Sequence, residues 1–432
     1  MAQSQSSSGM GATAVEPAWD ELRSLVGAEH LRAAGPADFV CGVQPSWVAE
    51  PGSENELAAA LRWANDAGLA VAPRGGGTKL GWGNPPARLD LILSTTRLNH
   101  ILEHAWADLT VIVEAGVTVA QLQRALAEHG QHLATDPLWP ENATIGGILS
   151  TNESGTLRLR FGALRDLIIG VTLALPDGTL AKSGGKVVKN VAGYDMPKLV
   201  TGALGTLGVI TQAAFRLHPA PRQARSLTFR LANFEGANKL ILAAQDSKMA
   251  HTGLQAHFAH DAQPSVDLRF EGTTEGIEAQ SATAGKLAAP VSGSDSAAEV
   301  WNARQELCAS PQAGTALAKF SVLPSRIAAA CEAVRRAAEK GGMQWKLVVQ
   351  GTGLGWLRLD APRPEGLHAA FVELRNEFER DTGSLFVAHR PAGMARLDAW
   401  GSPGDAFPVM LRIKQQFDPR GTLNPGRFVG GI

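Results

Sequence analysis

The sequence predicts an α+β fold with two domains. At 432 residues the chain exceeds the size at which one compact core of ordinary proportions is expected. Through its first half, short apolar and β-branched segments alternate with short amphipathic ones, and clusters of glycine separate them. Through its second half the glycine clusters stop, and two rounds of strand and helix follow. Small helices packed on short strands favour a protein whose loops do the binding.

Composition excludes several classes of function. The 40 basic and 41 acidic residues give a formal net charge of −1, and no Lys/Arg run forms a local positive surface, so nucleic-acid binding is disfavoured. Cys41, Cys308 and Cys331 lack the spacing of zinc or iron–sulfur ligands, and we expect buried thiols in a reducing compartment. Residues 1–14 lack the apolar segment of a signal peptide, and no apolar run reaches the ~20 residues that cross a bilayer. We therefore expect a cytoplasmic protein with a disordered tail over residues 1–18.

The periodicity of apolar residues assigns the elements of the first half. A helix is predicted over residues 19–26, and Ser53 with Glu56 forms a capping box that starts a second helix, which stops near Gly68. A third helix is predicted over residues 119–128. Strands are predicted at residues 46–48, 69–72, 90–93, 109–113 and 171–175, the last leading into a turn at 176–179, and residues 132–134 begin a return toward residues 136–137.

The second half is predicted to form a ferredoxin-like or doubled α+β unit. Residues 279–298 are rich in Ala, Ser and Gly and are predicted as a mobile loop or short helix. Turns at 418–419 and 424–426 are expected to carry the C-terminal tail back onto the first domain. The predicted strands are 227–231, 254–258, 266–271, 316–323, 344–349, 356–359 and 384–388, and the predicted helices are 235–244, 327–340, 367–380 and 407–417.

The glycine-rich loop at residues 74–79 (Arg-Gly-Gly-Gly-Thr-Lys) follows a predicted strand and is the most informative stretch. Glycines allow the backbone to take positive φ and to come close to an anion, and the loop has a cation at each end. The loop predicts a phosphate-binding cradle, with a flexible surface turn as the alternative that the loop alone leaves open.

Further glycine clusters lie at residues 144–155, 184–195 and 205–211, beside apolar segments. So many glycines imply several places where the backbone lies against something flat or charged. The sequence contains neither a Gly-Lys-Ser/Thr phosphate loop nor a Gly-x-Gly-x-x-Gly turn before a helix. The motifs that would indicate a P-loop or a Rossmann fold are therefore missing, and both folds are disfavoured.

The order and spacing of these segments resemble the FAD-binding domain of the vanillyl-alcohol oxidase / p-cresol methylhydroxylase (PCMH) superfamily over about residues 40–218. Residues 186–195 and 417–427 are similar to the E-subunit family of glycolate oxidase. The resemblance rests on segments 51–53, 73–78, 113–117, 144–147, 176–178 and 205–210. It implies a two-subdomain PCMH-type FAD-binding domain at residues 19–220, a ferredoxin-like α+β cap that forms the substrate domain at 221–405, and a C-terminal helix and tail at 406–432.

The resemblance also implies which residues hold FAD. Residues 74–80 would wrap the pyrophosphate with backbone N–H groups, residues 144–147 would line the flavin side, and residues 209–210 would lie near the adenine or the flavin ring. The implied cofactor-binding residues are Arg74, Gly75, Gly76, Gly77, Thr78, Lys79, Leu80, Thr144, Ile145, Gly146, Gly147, Asn152, Gly155, Gly205, Gly208, Val209, Ile210 and Asn424.

Members of the superfamily often attach flavin through a His in the first glycine loop, sometimes with a Cys in the second. Residues 75–79 contain no His and residues 144–155 contain no Cys, so we expect non-covalent FAD. For Tyr194, the one tyrosine of the chain, a half-buried structural role and a site role are equally favoured. Lys189 is expected to be structural.

Flavin accepts a hydride, so the protein must orient the substrate and remove a hydroxyl proton. For a 2-hydroxy acid we expect an Arg for the carboxylate and a His, often with a metal, for the hydroxyl. The metal motif His-x-Gly-Asp-Gly-Asn of related catalytic subunits is absent, so no metal site is expected. His251, His257 and His260 are clustered, but strand alternation puts them on different faces. His389 and Arg390 are the catalytic candidates, with a salt bridge at a domain edge as the alternative.

The resemblance therefore implies the FAD-binding subunit of a glycolate (2-hydroxy-acid) oxidase complex. It would convert glycolate to glyoxylate and pass electrons through flavin to a catalytic flavoprotein subunit and an iron–sulfur subunit. Any membrane association would come through those partners. The alternatives are an autonomous FAD-dependent dehydrogenase of another hydroxylated substrate and a non-catalytic assembly subunit.

Overall fold

The first part of the chain folds around a small, mostly parallel sheet. We describe residues 19–185 and 194–432 from a computed structural model. The sheet has four strands, and α1 (Trp19–Val26) and α2 (Glu54–Asp66) pack against it. In spatial order the strands are β1 (Leu31–Ala33), β2 (Trp47–Ala49), β4 (Leu91–Ser94) and β3 (Val71–Arg74), with β1 antiparallel to β2 and the other pairs parallel.

Helix α2 starts as its sequence predicts, with one difference. The Ser53 side chain accepts a hydrogen bond from the Glu56 N–H. The Glu56 carboxylate, however, bonds the N–H of Gly52 instead of that of Ser53. The cap is therefore present, but the reciprocal bond of a capping box is shifted by one residue.

A second, antiparallel sheet completes this half. Its five strands are, in spatial order, β5 (Ile101–Ala105), β6 (Thr110–Glu114), β10 (Val209–Arg216), β8 (Ile168–Ala174) and β9 (Leu180–Gly184), and a short ribbon pairs β7 (Gln131–His132) with β11 (His218–Pro219). The predicted turn between β8 and β9 is present, with Gly178 at φ +83°. The helices of this half are α3 (Val119–Ala127), α4 (Ile145–Thr151), α5 (Arg158–Phe161), α6 (Leu164–Leu167) and α7 (Met196–Val200).

The second half forms one eight-stranded antiparallel sheet made of two ferredoxin-like units. The first unit runs β12 (Ala224–Arg230), α8 (Phe234–Asp246), β13 (His251–Ala259), β14 (Ala262–Glu271), α9 (Thr274–Ala288) and β15 (Ser294–Asp295). After α10 (Ala303–Cys308), the second unit runs β16 (Thr315–Ser321), α11 (Ile327–Lys340), β17 (Gln344–Gln350), β18 (Leu354–Asp360), α12 (Glu365–Arg380) and β19 (Ser384–His389). The spatial order is β15-β12-β14-β13-β17-β18-β16-β19, so the two units join edge to edge through β13 and β17.

The C-terminal tail returns to the first half of the chain. After α13 (Phe407–Phe417), Leu423 forms a parallel bridge with Val71. Lys414 donates hydrogen bonds to the carbonyls of Thr206 and Leu423 and to the Asp418 carboxylate. The tail is therefore a structural part of the region around β3, the strand that leads into the glycine loop.

Several sequence predictions differ from the structure. Residues 279–288 belong to α9, a longer helix than the expected loop or short helix, because Thr273 caps it and buried Ile277 and Ala284 give it an apolar face. Strand β5 was not predicted, since its residues are only half-buried and lack clear alternation. Cys308 and Cys331 are buried and Cys41 is half-buried, all three as free thiols. No helix among the described residues is long and apolar enough to cross a membrane.

Candidate cofactor and substrate site

The glycine loop leaves the carboxyl end of β3 and presents a row of free N–H groups. Leu80 N–H bonds the carbonyl of Gly77, which takes φ +74° and so turns the chain back. Within the part of the chain that the structure describes, the backbone N–H groups of residues 75–79 donate to no protein acceptor. All five residues line one cleft. Successive free N–H groups in such a turn form an anion-binding nest.

Two glycines of the loop are required by close packing. A Cβ on Gly75 would lie 2.0 Å from the Thr144 hydroxyl oxygen, and a Cβ on Gly76 would lie 1.7 Å from the Asn142 carbonyl oxygen. Both distances are far shorter than any real carbon–oxygen contact. The loop therefore lies directly on the segment that leads into α4, which closes one wall of the cleft.

The basic residues at the ends of the loop are held by carboxylates within the protein. Arg74 lies 2.5 Å from Asp38, whose second partner, Arg32, lies at 2.7 Å. The two guanidinium groups hold the pKa of Asp38 well below its ordinary value. At the other end, Lys79 lies 2.7 Å from Glu153, which is fully buried. The positive charge that the sequence suggested for an anion is thus already paired, and the free backbone N–H groups remain to receive one.

Most of the sequence-predicted cofactor residues come together around this cleft. Three do not line it: Ile145 is buried in the core of the five-stranded sheet, Asn152 borders a neighbouring cavity, and Gly155 packs on Asp136, whose carboxylate accepts its N–H. The predicted residues that line the cleft are Arg74, Gly75, Gly76, Gly77, Thr78, Lys79, Leu80, Thr144, Gly146, Gly147, Gly205, Gly208, Val209, Ile210 and Asn424.

Sequence reasoning missed six lining residues. They are Pro73, Thr95, Ser150, Thr151, Leu204 and Arg427. Arg427 is buried and donates hydrogen bonds to the carbonyls of Leu80 and Trp82, so the tail fixes the far side of the loop. The sequence signal for Arg427 is the resemblance over residues 417–427, which include it, although Asn424 is the one residue of that segment among the implied cofactor-binding residues.

This cleft fits an FAD pyrophosphate. Five free N–H groups supply donors for a dianion, and its lining includes no Asp or Glu that would repel one. The glycine packing brings the backbone, without side chains, to the surface of the cleft.

A second cavity of about 380 Å³ adjoins the cleft between the first half and the eight-stranded sheet. The two share Ser150, Thr151 and Leu204. We call this second space the interface cavity. Its aromatic lining residues are Trp82 from the first half of the chain and Phe386 and Trp400 from the second half. The Trp400 ring lies against Phe386 at 4.5 Å between ring centroids, and the Trp82 ring lies 5.5 Å from that of Trp356. A group held in the cleft can therefore extend into a cavity with aromatic walls.

Two cations line the interface cavity, Arg158 of α5 and Lys319 of β16. Neither side chain has an ion-pair or hydrogen-bond partner among the described residues. Burial lowers the pKa of Lys319 to about 8, and the nearby charges of Arg304 and Arg158 add to the decrease. Sequence periodicity could place Lys319 on a strand but could not show that its side chain meets the first domain.

The catalytic candidates from the sequence lie elsewhere. His389 ends β19 opposite Leu317, and burial lowers the pKa of its imidazole. Arg390 donates to the carbonyls of Gly83 and Leu397, which ties the cap to the loop after residue 82. Neither lines the cleft or the interface cavity. Their catalytic role stays a prediction, and the contacts of Arg390 are those of a residue at a domain edge.

The other histidines do not converge on a metal site. His257 lies 2.5 Å from Asp267, His260 lies beyond the end of β13, and His251 is buried at its start. Among residues 19–185 and 194–432, no group of three His, Cys, Asp or Glu side chains could hold a metal ion.

Two expectations concern residues beside the third glycine cluster. Tyr194 is 90% exposed and lines neither cavity, which contradicts the half-buried role. Lys189 and the rest of residues 186–193 lie outside the described residues.

Comparison with known proteins agrees with the geometry. Residues 45–184 match the model of the FAD binding domain, and residues 402–428 match the C-terminal domain of FAD linked oxidases. A D-2-hydroxyglutarate dehydrogenase of Xanthomonas citri pv. viticola is 27% identical over 89% of this chain and 89% of its own. The glycolate oxidase subunit GlcD of Bacillus subtilis is 34% identical over 46% of this chain and 42% of its own.

Among solved structures, p-cresol methylhydroxylase with substrate bound has the same fold. Its TM-score is 0.75 at 15% identity, and the alignment covers 94% of this chain and 95% of that one. The fold, the cleft and the two matched models lead to one conclusion. The chain has a PCMH-type FAD-binding fold and is an FAD-dependent oxidoreductase.

Proposed function

We propose that the chain oxidises a small 2-hydroxy acid to the 2-oxo acid in the interface cavity. The observation that carries this proposal is the charge of the cavity: its charged lining residues are Arg158 and Lys319, both without a partner among the described residues. A half-buried cation without a counter-ion is costly, and a substrate carboxylate would remove that cost. The names of the two relatives, a D-2-hydroxyglutarate dehydrogenase and a glycolate oxidase subunit, support the same substrate class.

Each part of the site has a role in this reaction. The N–H groups of residues 75–79 would bind the pyrophosphate, and bound FAD supplies the hydride acceptor. Arg158 would bind the substrate carboxylate through its guanidinium fork. The aromatic walls, Trp82, Phe386 and Trp400, would exclude water around the reacting carbon.

Within this class we propose glycolate as substrate and glyoxylate as product, in a complex with a catalytic flavoprotein subunit and an iron–sulfur subunit. The similarity to GlcD over nearly half of this chain supports a place in such a complex. An autonomous dehydrogenase is the second candidate, and the 89% coverage of the D-2-hydroxyglutarate dehydrogenase supports it. The candidates differ in whether the chain reduces its flavin without partners.

Anaerobic reduction of the purified holoprotein tests the proposal. Glycolate, D-lactate and D-2-hydroxyglutarate are added separately, and loss of the visible flavin absorbance is followed with and without partner subunits. Bleaching by any of them supports a 2-hydroxy-acid substrate, and bleaching that needs the partners supports the complex. Absence of bleaching under both conditions refutes the proposal.

A matched pair of variants tests the role of the cavity. Arg158→Gln should weaken substrate binding roughly 10- to 100-fold, the loss of one charge-assisted hydrogen bond. Arg160→Gln is the control, because Arg160 lies on the same short helix but is exposed and outside the cavity. Equal substrate affinity in the two variants would contradict carboxylate binding by Arg158.

A further inference from the structure

The interface cavity contains one side chain that can accept a proton. Oxidation of an alcohol to a carbonyl releases the hydroxyl proton, and a positioned base normally takes it. Among the residues that line the cavity, Arg158 and Lys319 are the ones with titratable side chains, and the lining includes no His, Asp, Glu, Cys or Tyr. An arginine does not deprotonate in proteins. Lys319 is left as the candidate base.

The position of Lys319 in the sheet directs its side chain toward the first domain. In β16 it lies opposite Trp356 of β18 and Phe386 of β19. Leu317, two residues earlier on the same strand, packs in the cluster of Trp82, Trp356 and Phe386 between the two domains. Successive residues at a spacing of two share a face, so Lys319 lies on the face that meets the first domain.

The surrounding charges leave Lys319 without a counter-ion. The charged groups that face it are Glu153, Arg304, Arg158 and Lys79. Glu153, the single acid among them, already lies 2.7 Å from Lys79 and 3.6 Å from Arg304. Three cations and burial thus oppose the ammonium form, and one engaged carboxylate favours it. With its pKa lowered to about 8, the amine is half neutral near pH 8, so a free amine is available as a general base just above neutral pH.

We propose that Lys319 is the general base that removes the hydroxyl proton of the 2-hydroxy acid, while Arg158 holds the carboxylate. This inference rests on the proposed function. The neutral Nζ takes the O–H proton and becomes an ammonium. The Cα–H bond would break with its electron pair as the C–O bond becomes a carbonyl, and oxidised FAD bound in the cleft would supply the acceptor for that hydride. The substrate loses two electrons and two hydrogens, and the proton leaves Lys319 to solvent before the next turnover.

The proton equilibrium of Lys319 can be measured without turnover. Brief pulses of acetic anhydride label neutral amines, and the labelled peptides of the holoprotein are quantified by mass spectrometry across a pH series. Lys319 should label with a midpoint near pH 8. Lys346 is the internal control, because it is an exposed lysine on the same sheet. Labelling of both residues with the same midpoint would overturn the proposal.

Flavin reduction in single-turnover experiments tests the chemical step. The wild-type rate should rise with pH through the midpoint found for Lys319. Lys319→Arg keeps the positive charge but cannot release a proton, so it should bind FAD and slow reduction by about 10²- to 10⁴-fold. Lys346→Arg should behave as wild type. A Lys319→Arg rate within a few-fold of wild type would overturn the proposal.

Chemical rescue separates a base from a merely structural lysine. Lys319→Ala with added methylamine should regain flavin reduction in proportion to the free amine, whereas a structural lysine would give no amine dependence. Absence of rescue in a variant that binds FAD refutes the role. If no 2-hydroxy acid reduces the wild-type flavin, the proposed function fails, and the labelling midpoint still reports on Lys319 separately.

Discussion

Lys79→Met tests whether the lysine of the glycine loop serves the cofactor or the fold. In the structure its ammonium lies 2.7 Å from the Glu153 carboxylate, and the two side chains are 5% and 0% exposed. Methionine has a similar length and no charge, so the variant keeps the packing and removes the ion pair. Glu153 would then be a buried carboxylate that keeps only Arg304, at 3.6 Å, and the N–H of Leu138.

The size of the effect follows from these distances. At an effective dielectric constant of about 20, the gross attraction is ~6 kcal/mol for a charge pair at 2.7 Å and ~5 kcal/mol at 3.6 Å. In the variant, the attraction between Glu153 and Arg304 remains, and it is nearly half of the summed attraction of the two pairs. Breaking a buried pair costs about 3–5 kcal/mol, so we expect the lower end, about 3 kcal/mol of unfolding free energy.

Urea unfolding of the apoprotein and of the holoprotein measures this loss. We expect the same decrease of about 3 kcal/mol in both states. Lys79→Met/Glu153→Gln should recover about 2 kcal/mol of it, because the double variant removes the buried carboxylate and Arg304 keeps its hydrogen bonds to the carbonyls of Ser154 and Asp136. Lys346→Met, at an exposed site, is the control. An apoprotein of Lys79→Met as stable as wild type, with weaker FAD binding, would refute the reasoning and assign Lys79 to the pyrophosphate.

Three further predictions concern the cofactor cleft. Gly76→Ala puts a Cβ 1.7 Å from the Asn142 carbonyl oxygen and should weaken FAD binding at least about tenfold by titration, whereas Gly81→Ala, with open space around its Cβ, should not. Asp38→Asn should lower the free energy of unfolding by about 1–2 kcal/mol at neutral pH, because Arg32 and Arg74 depress the pKa of Asp38. In urea unfolding, the difference from wild type should shrink as pH falls below about 4, where the carboxyl of the unfolded chain takes up its proton. Acid precipitation should leave the yellow pigment in the supernatant, and pigment in the pellet would contradict non-covalent FAD.

Local features of the fold could be predicted from the sequence because they depend on neighbouring residues. The helices at 327–340 and 407–417 were predicted with the bounds they have, since their apolar periodicity is strong and Gly341 and Asp418 end them. The Ser53 cap and the strand before the glycine loop follow from equally local signals. The prediction that the loop is a phosphate cradle likewise rests on its three glycines and their order among the other motifs.

The charges of the site could not be predicted in this way. Glu153 comes 74 positions after Lys79 and 151 before Arg304, and no spacing rule relates residues so far apart. In the sequence, Lys319 is a charged residue within an otherwise mostly apolar strand, a pattern typical of a strand whose edge faces solvent. Its burial depends on where the sheet meets the first domain. His389 and Arg390 were catalytic candidates because of their residue types. A residue type does not show which cavity the side chain reaches.

The buried carboxylate of Glu153 links the loop, the cap and the proposed base. It pairs with Lys79 of the glycine loop and Arg304 of α10, and its charge also raises the pKa of Lys319, while Lys79 lowers it. A substitution that removes the charge of Glu153 and one that removes the charge of Lys79 should therefore shift the labelling midpoint of Lys319 in opposite directions. Glu153→Gln should move it below 8, and Lys79→Met should move it above 8.

Opposite shifts distinguish an electrostatic link from general disruption. If either variant merely loosened the contact between the domains, water would reach Lys319 and its pKa would rise in both, toward the value of an exposed lysine. A rise in both variants would therefore refute the electrostatic link. A fall in Glu153→Gln with a rise in Lys79→Met would mean that the residue that fixes the cofactor loop also sets the pH at which the proposed base becomes available.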